Sequence, residues 1–299
     1  MKARSARLKR DIAHYLATGH SDSLSQAEPA EDILEGMKKY SEALRKSLIA
    51  EVRKRSRRRH PKIPDGMDST SFARRKLAPR RKLAPMVRGL FPSKEHEVVL
   101  EIVERSIIFL TREAALWAIE DVGFDSSAWQ IANVYLCGIG APPLADGDFC
   151  ALGLNEETRC YVSLAYFEEK KPLADYVVHE AAHIFHNTKR ERVGLPHTRY
   201  REWMLEIEFL KRETFAYTCE VYSRILEQSC NPRQRRALLE GYREDPIVAD
   251  DRVDVGEHLD ILAEAVTARN GWKGILSRCA PPRRQKRTMI HGVGLNRPA

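Results

Sequence analysis

Residues 172–188 read PLADYVVHEAAHIFHNT, with histidines four positions apart at 179 and 183. In a helix of 3.6 residues per turn, His179 and His183 lie one above the other on a single face. Two neutral imidazoles converging from one face can occupy two corners of a tetrahedral zinc site. Glu180, between them, projects beside such an ion, where its carboxylate can accept a proton from an activated water. The flanks suit this reading. Val177, Val178, Ala181, Ala182, Ile184 and Phe185 leave the helix uncharged apart from its His-Glu-His set. A buried metal site requires this, because stray charge away from water is costly. Pro172 fits the first turn of the predicted helix, and Asn187 with Thr188 fits its exit.

A third ligand is expected from another element. No histidine follows at the spacing of HExxHxxGxxH: His186 stands at the glycine position and Lys189 at the last. A carboxylate from a later helix is the usual alternative. The stretch 201–227 (REWMLEIEFLKRETFAYTCEVYSRILE) has helical length, no Gly or Pro, and recurring apolar positions at Trp203, Ile207, Leu210, Phe215, Val221 and Ile225. Among its acids Glu202, Glu206, Glu208, Glu213 and Glu220, Glu208 sits near Lys211 and Arg212 and reads as a solvated surface group. Glu213 has Leu210, Ala216 and Tyr217 on its own face, an apolar and aromatic surface with one acid in it. Glu206 and Glu220 share that face at heptad spacing, one as an alternative ligand, the other as a partner to a zinc histidine.

HEAAH followed by RETFAYTCE resembles the gluzincin metallopeptidases, in which HExxH is completed by a glutamate on a downstream helix. The RETFA segment is similar to the NEGFA element of the gluzincin aminopeptidases. The resemblance implies His179, His183 and Glu213 as metal ligands, Glu180 as catalytic base and Zn2+ as cofactor. The gap from His183 to Glu213 is longer here, and no GxMEN-type segment is present, so exopeptidase activity is not implied. A looser likeness is to the ImmA/IrrE-type bacterial peptidases, which cleave regulatory proteins. Together these likenesses cover roughly residues 160–228. A peptidase also needs a donor for the oxyanion; Tyr217, one turn past Glu213, and His197, in the loop after Gly194 and Pro196, are the catalytic candidates, with His186 and Tyr200 also available.

Upstream, 131–137 (IANVYLC) and 159–167 (RCYVSLAYF) read as strands, and 138–155 as a Gly-, Pro- and Asp-rich connection. A strand just before the active-site helix is where zincin-like folds keep an edge for an extended substrate, bound by strand addition. Residues 98–120 read as an amphipathic helix backing this sheet. The expected fold class is α+β: a zincin-like catalytic domain over 91–280, with a small antiparallel or mixed sheet and an active-site helix. A basic helical and disordered extension over 1–90 precedes it and a basic tail over 281–299 follows.

Charge follows the same division. Residues 1–95 carry a net +13, residues 96–277 carry −11, and the tail from Arg278 carries +6, summing to the chain's +8. The leader holds RKRSRRR at 53–59 and a tandem hexamer, RRKLAP, at 74–79 and 80–85. Pro-terminated repeats read as a linker or disordered segment, and residues 32–52 as helix. Such a leader can contact nucleic acid by neutralising phosphates. The six cysteines contain no CxxC pair, no apolar run is long enough to span a membrane, and the start has no apolar signal core. A cytoplasmic protein with a peptide or protein substrate and no membrane partner is expected. The function expected is zinc-dependent peptide-bond hydrolysis; the alternative is a non-catalytic nucleic-acid-associated or regulatory protein with a structural or inactive metal site.

Overall fold

The computed structural model describes residues 2–21, 33–57, 59, 79–144, 153–156, 158–168, 171–197, 201–246, 248 and 250–282. Residues 74–78 of the first hexamer, Cys150, Tyr200 and the basic tail from 283 lie outside the described residues. Among those described, the chain runs α1 (Lys2–Thr18), α2 (Ile33–Arg55), α3 (Pro79–Leu90), α4 (His96–Ser106), β1 (Ile107–Phe109), α5 (Arg112–Asp121) and α6 (Asp125–Gly138). It continues through β2 (Gly153–Glu156), β3 (Arg159–Val162), α7 (Tyr176–Asn187), α8 (Arg212–Gln228), α9 (Pro232–Glu244), α10 (Val255–Thr267) and α11 (Gly271–Cys279). No described helix is long and apolar enough to cross a membrane.

The architecture is α+β, with a small mixed sheet among many helices. Strand order is β1-β3-β2: β1 runs parallel to β3, with Ile107 opposite Cys160, and β2 runs antiparallel, with Gly153 opposite Val162. Strand side chains alternate between faces, and here the alternation divides two cores. Cys160 and Val162 join the core built by α3, α4 and α7 to α11; Tyr161 joins the core built by α1, α2, α5 and α6. The first two helices of the leader are therefore packed. Tyr15, Leu44, Leu48 and Val52 are fully buried against Ile119, Ile131 and Tyr135. Arg45 donates to the carbonyls of Ile119, Glu120, Val122 and Gly123, closing the end of α5, where carbonyls lack helical partners. Part of the basic run is also engaged within the chain: Arg55 donates to Pro142 and Pro143 carbonyls, and Arg59 to Gly140.

Several sequence expectations are corrected. IANVYLC is the buried half of helix α6, not a strand; residues 131–136 are all buried. A helix covered on all sides shows a continuous apolar run that periodicity cannot separate from a strand. The helix expected over 98–120 is broken by β1, whose Ile-Ile-Phe pairs with β3, and restarts where Thr111 caps Ala114 N–H at 3.1 Å. The second hexamer is helical: α3 contains Pro85 in its interior. An interior proline costs about 3 kcal/mol, but burial of Leu83, Met86 and Val87 returns roughly 1.5–3 kcal/mol each. β3 ends at Val162 and is the central strand; β1 and β2 are its edges, and β2 begins within the expected connection.

α8 is braced from behind by His258, which is fully buried. Its Nδ1–H donates to Thr218 Oγ1 at 2.9 Å and its Nε2 accepts from the Tyr242 hydroxyl at 3.0 Å. Burial lowers its pKa from 6.5 to about 4. The unfolded chain therefore takes up this proton first, and stability falls as pH drops from 6.5 towards 4. At one pKa unit per 1.36 kcal/mol the full effect is about 3 kcal/mol. Urea unfolding of chelator-treated protein at pH 7 and about pH 4.5 should show this loss, and His258→Gln should shrink the difference; an undiminished pH slope in the variant would count against the assignment.

Candidate metal centre

α7 starts four residues later than Pro172 suggested. Asp175 caps it, accepting from Val178 N–H at 3.3 Å, and the helix ends at Asn187 with Thr188 N–H on Ile184 O at 3.1 Å. The segment expected to begin the next helix at 201 instead closes this exit. Leu205 N–H donates to Phe185 O at 2.8 Å, Met204 N–H to Thr188 O at 2.9 Å, and Lys189 bridges Trp203. The last carbonyls of a helix need such partners, so residues 201–208 are irregular and α8 begins only at Arg212. Val177, Val178, Ala181, Ala182, Ile184 and Phe185 are fully buried, which fixes the opposite, histidine-bearing face against α8.

His179 and His183 meet there with Glu213, in the first turn of α8. Their Nε2 atoms are 3.1 Å apart, and Glu213 Oε2 lies 3.5 Å from His183 Nε2 and 3.8 Å from His179 Nε2. Ligands about 2.0–2.1 Å from a tetrahedral ion lie about 3.3 Å from one another. Two imidazole nitrogens and one carboxylate oxygen at these separations therefore fit a divalent ion of that size. Among the described residues this is the group of acids, histidines and cysteines arranged to hold a metal.

Neighbours fix both imidazoles. His179 Nδ1 donates to Glu220 Oε2 at 3.0 Å, and the other Glu220 oxygen accepts Asp175 N–H at 2.6 Å. Such a contact turns Nε2 towards His183 and Glu213, where an ion would be held. Burial acts to lower the His179 pKa, but Glu220, through hydrogen bond and charge, with Glu180 and Glu213, raises it overall. Asp175 itself is fully buried and paired with Lys82 Nζ at 2.7 Å, and Tyr166 hydroxyl donates to it at 3.0 Å. Lys82, from the second RRKLAP copy, thus anchors the start of the site helix. On the other side, His183 Nδ1 lies 3.0 Å from His186 Nε2, and His186 Nδ1 lies 3.1 Å from Asn187 Oδ1. Burial, with the charges of His183 and Arg212, drives the His186 pKa down to about 2. The His186 contact occupies His183 Nδ1 and leaves His183 Nε2 directed towards His179 and Glu213.

Glu180 is 7% exposed, and its Oε2 has no hydrogen-bond partner. Burial raises its pKa, while His179 and His183 act to lower it. The edge strand runs close above it: a Cβ on Gly153 would lie 2.6 Å from Glu180 Oε1. A buried carboxylate oxygen without a donor, beside converging metal-ligand atoms, suits a bound water.

The other sequence candidates divide. Tyr217 packs its ring edge-on against His179, centroids 4.6 Å apart. His197 is exposed and its acidic neighbour is Glu202, itself paired with Lys189; it does not join the cluster. Glu206 accepts the N–H groups of Glu202 and Trp203, so it is a turn cap rather than a ligand. Arg252, not singled out by the sequence, holds the second oxygen of Glu213, its Nη2 3.0 Å from Oε1. Burial acts to raise the Glu213 pKa, but His183, His179 and Arg252 lower it overall. Lys82, Asp175 and Arg252 carry no local motif; only Asp175, three residues before Val178, had a legible signal, as a cap.

Comparison with protein-family models, curated proteins and solved structures finds no match to this chain. Function is therefore argued from the site itself.

Glu220→Gln keeps the shape but weakens the grip on His179 Nδ1. Removal of such a partner typically costs 10- to 100-fold in metal affinity, and a loss in that range is expected in competition with a chromophoric chelator. Unchanged affinity would remove Glu220 from the centre.

Proposed function

We propose that the chain is a zinc-dependent peptide hydrolase of zincin-like architecture. The observation that carries this is the convergence of His179, His183 and Glu213 within 4.8 Å, with the unpaired oxygen of Glu180 on the same helix. Bound there, zinc would supply a Lewis acid for the scissile carbonyl and make water acidic near neutral pH. Glu180 takes the proton from the attacking water and returns it to the leaving amine. Its raised pKa makes it a stronger base than an exposed carboxylate. His179 and His183 stay oriented through Glu220 and His186, and the hydroxyl of Tyr217 is the candidate donor to the oxyanion.

The substrate reading follows from the edge strand. Among the described residues no strand pairs with the outer side of β2, and Gly153 lets that strand lie against Glu180. An extended peptide added there gains main-chain hydrogen bonds while its backbone passes the proton carrier. A purely structural site would be closed by a fourth protein ligand; among the described residues the cluster has three, which favours hydrolysis over the regulatory alternative.

Glu180→Gln should lower kcat by at least about 10²-fold while zinc content, by elemental analysis, stays at the wild-type value. A fully active Glu180→Gln protein sinks the mechanism. Gly153→Ala places a methyl 2.6 Å from Glu180 Oε1, too close for either to stay, and should displace that carboxylate. Small misplacements of this kind cost on the order of 10²-fold in rate, so kcat should fall with metal content unchanged; wild-type kcat would show that the close approach is idle.

A further inference from the structure

Glu213 divides its two oxygens between two tasks. Oε2 faces the imidazoles, 3.5 Å from His183 Nε2, whereas Oε1 lies 3.0 Å from Arg252 Nη2. Arg252 comes from the connection between α9 and α10 and is itself 67% exposed. An exposed ion pair by itself imposes little, since it is screened and gives up side-chain freedom. This guanidinium is held independently of Glu213. Asp250 Oδ1 accepts from Arg252 Nε at 2.9 Å and from Arg252 N–H at 2.9 Å, and Asp250 Oδ2 accepts from Nη2. A guanidinium gripped along one side presents its donors in a fixed plane. Asp250 also offsets the positive charge, so the guanidinium can stand near a dication.

We propose that Arg252, clamped by Asp250, is a positioning residue that keeps Glu213 a one-oxygen ligand and so leaves a coordination position open for water and substrate. The inference rests on the metal reading above. A carboxylate beside a divalent ion can bind through one oxygen or both. If Oε1 were free, both oxygens could close on the ion, filling the position that hydrolysis needs. A donor on Oε1 holds the carboxylate turned, and the site remains three protein ligands plus one open place, the arrangement of catalytic rather than structural zinc.

The test uses the full chain loaded with cobalt(II), whose visible absorption weakens as the coordination number rises from four to five. Wild-type protein should bind one cobalt per chain with the strong absorption of a four-coordinate centre. Arg252→Ala should bind it with a clearly weaker band, and Arg252→Lys should restore part of the absorption. Asp250→Asn, which loosens the clamp without touching Glu213, should move the spectrum in the same direction by less. An unchanged cobalt spectrum in Arg252→Ala, with wild-type protein binding metal, overturns the proposal and leaves the metal centre standing. Failure of wild-type protein to bind cobalt or zinc stoichiometrically overturns the metal reading, and this proposal with it.

Discussion

The carboxylate of Glu220 is buried and shared between two elements: one oxygen takes the N–H of Asp175 at the start of α7, the other takes Nδ1 of His179 one turn later. A buried carboxylate is costly unless its lone pairs are met, and these two donors are available only when α8 lies against the first turn of α7. That constraint fixes the rotation of α8 about its axis. Glu213, seven residues earlier and two turns away on the same face, then has no choice but to face the two Nε2 atoms. Registration of the helix pair and assembly of the candidate centre are the same event.

The layers around this pair serve the same end. Lys82 brings α3 to Asp175, the segment 202–205 closes the far end of α7, and His258 holds α8 from behind. The sheet supplies the remaining wall, with β2 laid over Glu180 at a glycine. The contacts of Lys82, of residues 202–205 and of His258 each use a polar group that burial would otherwise leave unmet. Arg252, by contrast, reaches the site from an exposed connection.

How much was legible depended on range. HEAAH announced its helix, the shared face of His179 and His183, and Glu180 beside that face, because all three lie within two turns. Glu213 and Glu220 were legible as acids on an apolar face of a later helix, although that helix is shorter than its pattern: Leu210 follows the apolar period yet is 76% exposed. The errors arose where tertiary contacts overrode local preference. Pro85 sits inside a helix because Leu83, Met86 and Val87 are drawn into the core. IANVYLC is helical because its neighbours cover it on every side.

By itself, the sequence determined the histidine-bearing helix, the choice of residue types able to hold and serve a divalent ion, and the acidic body between basic ends. Those follow from helical period and side-chain chemistry, which are local. Only the tertiary structure decided which acid met the imidazoles, which groups turned them, and that the second RRKLAP copy belongs to the core. These depend on which distant polar groups find partners when two helices and a sheet close together, and no spacing along the chain encodes that choice.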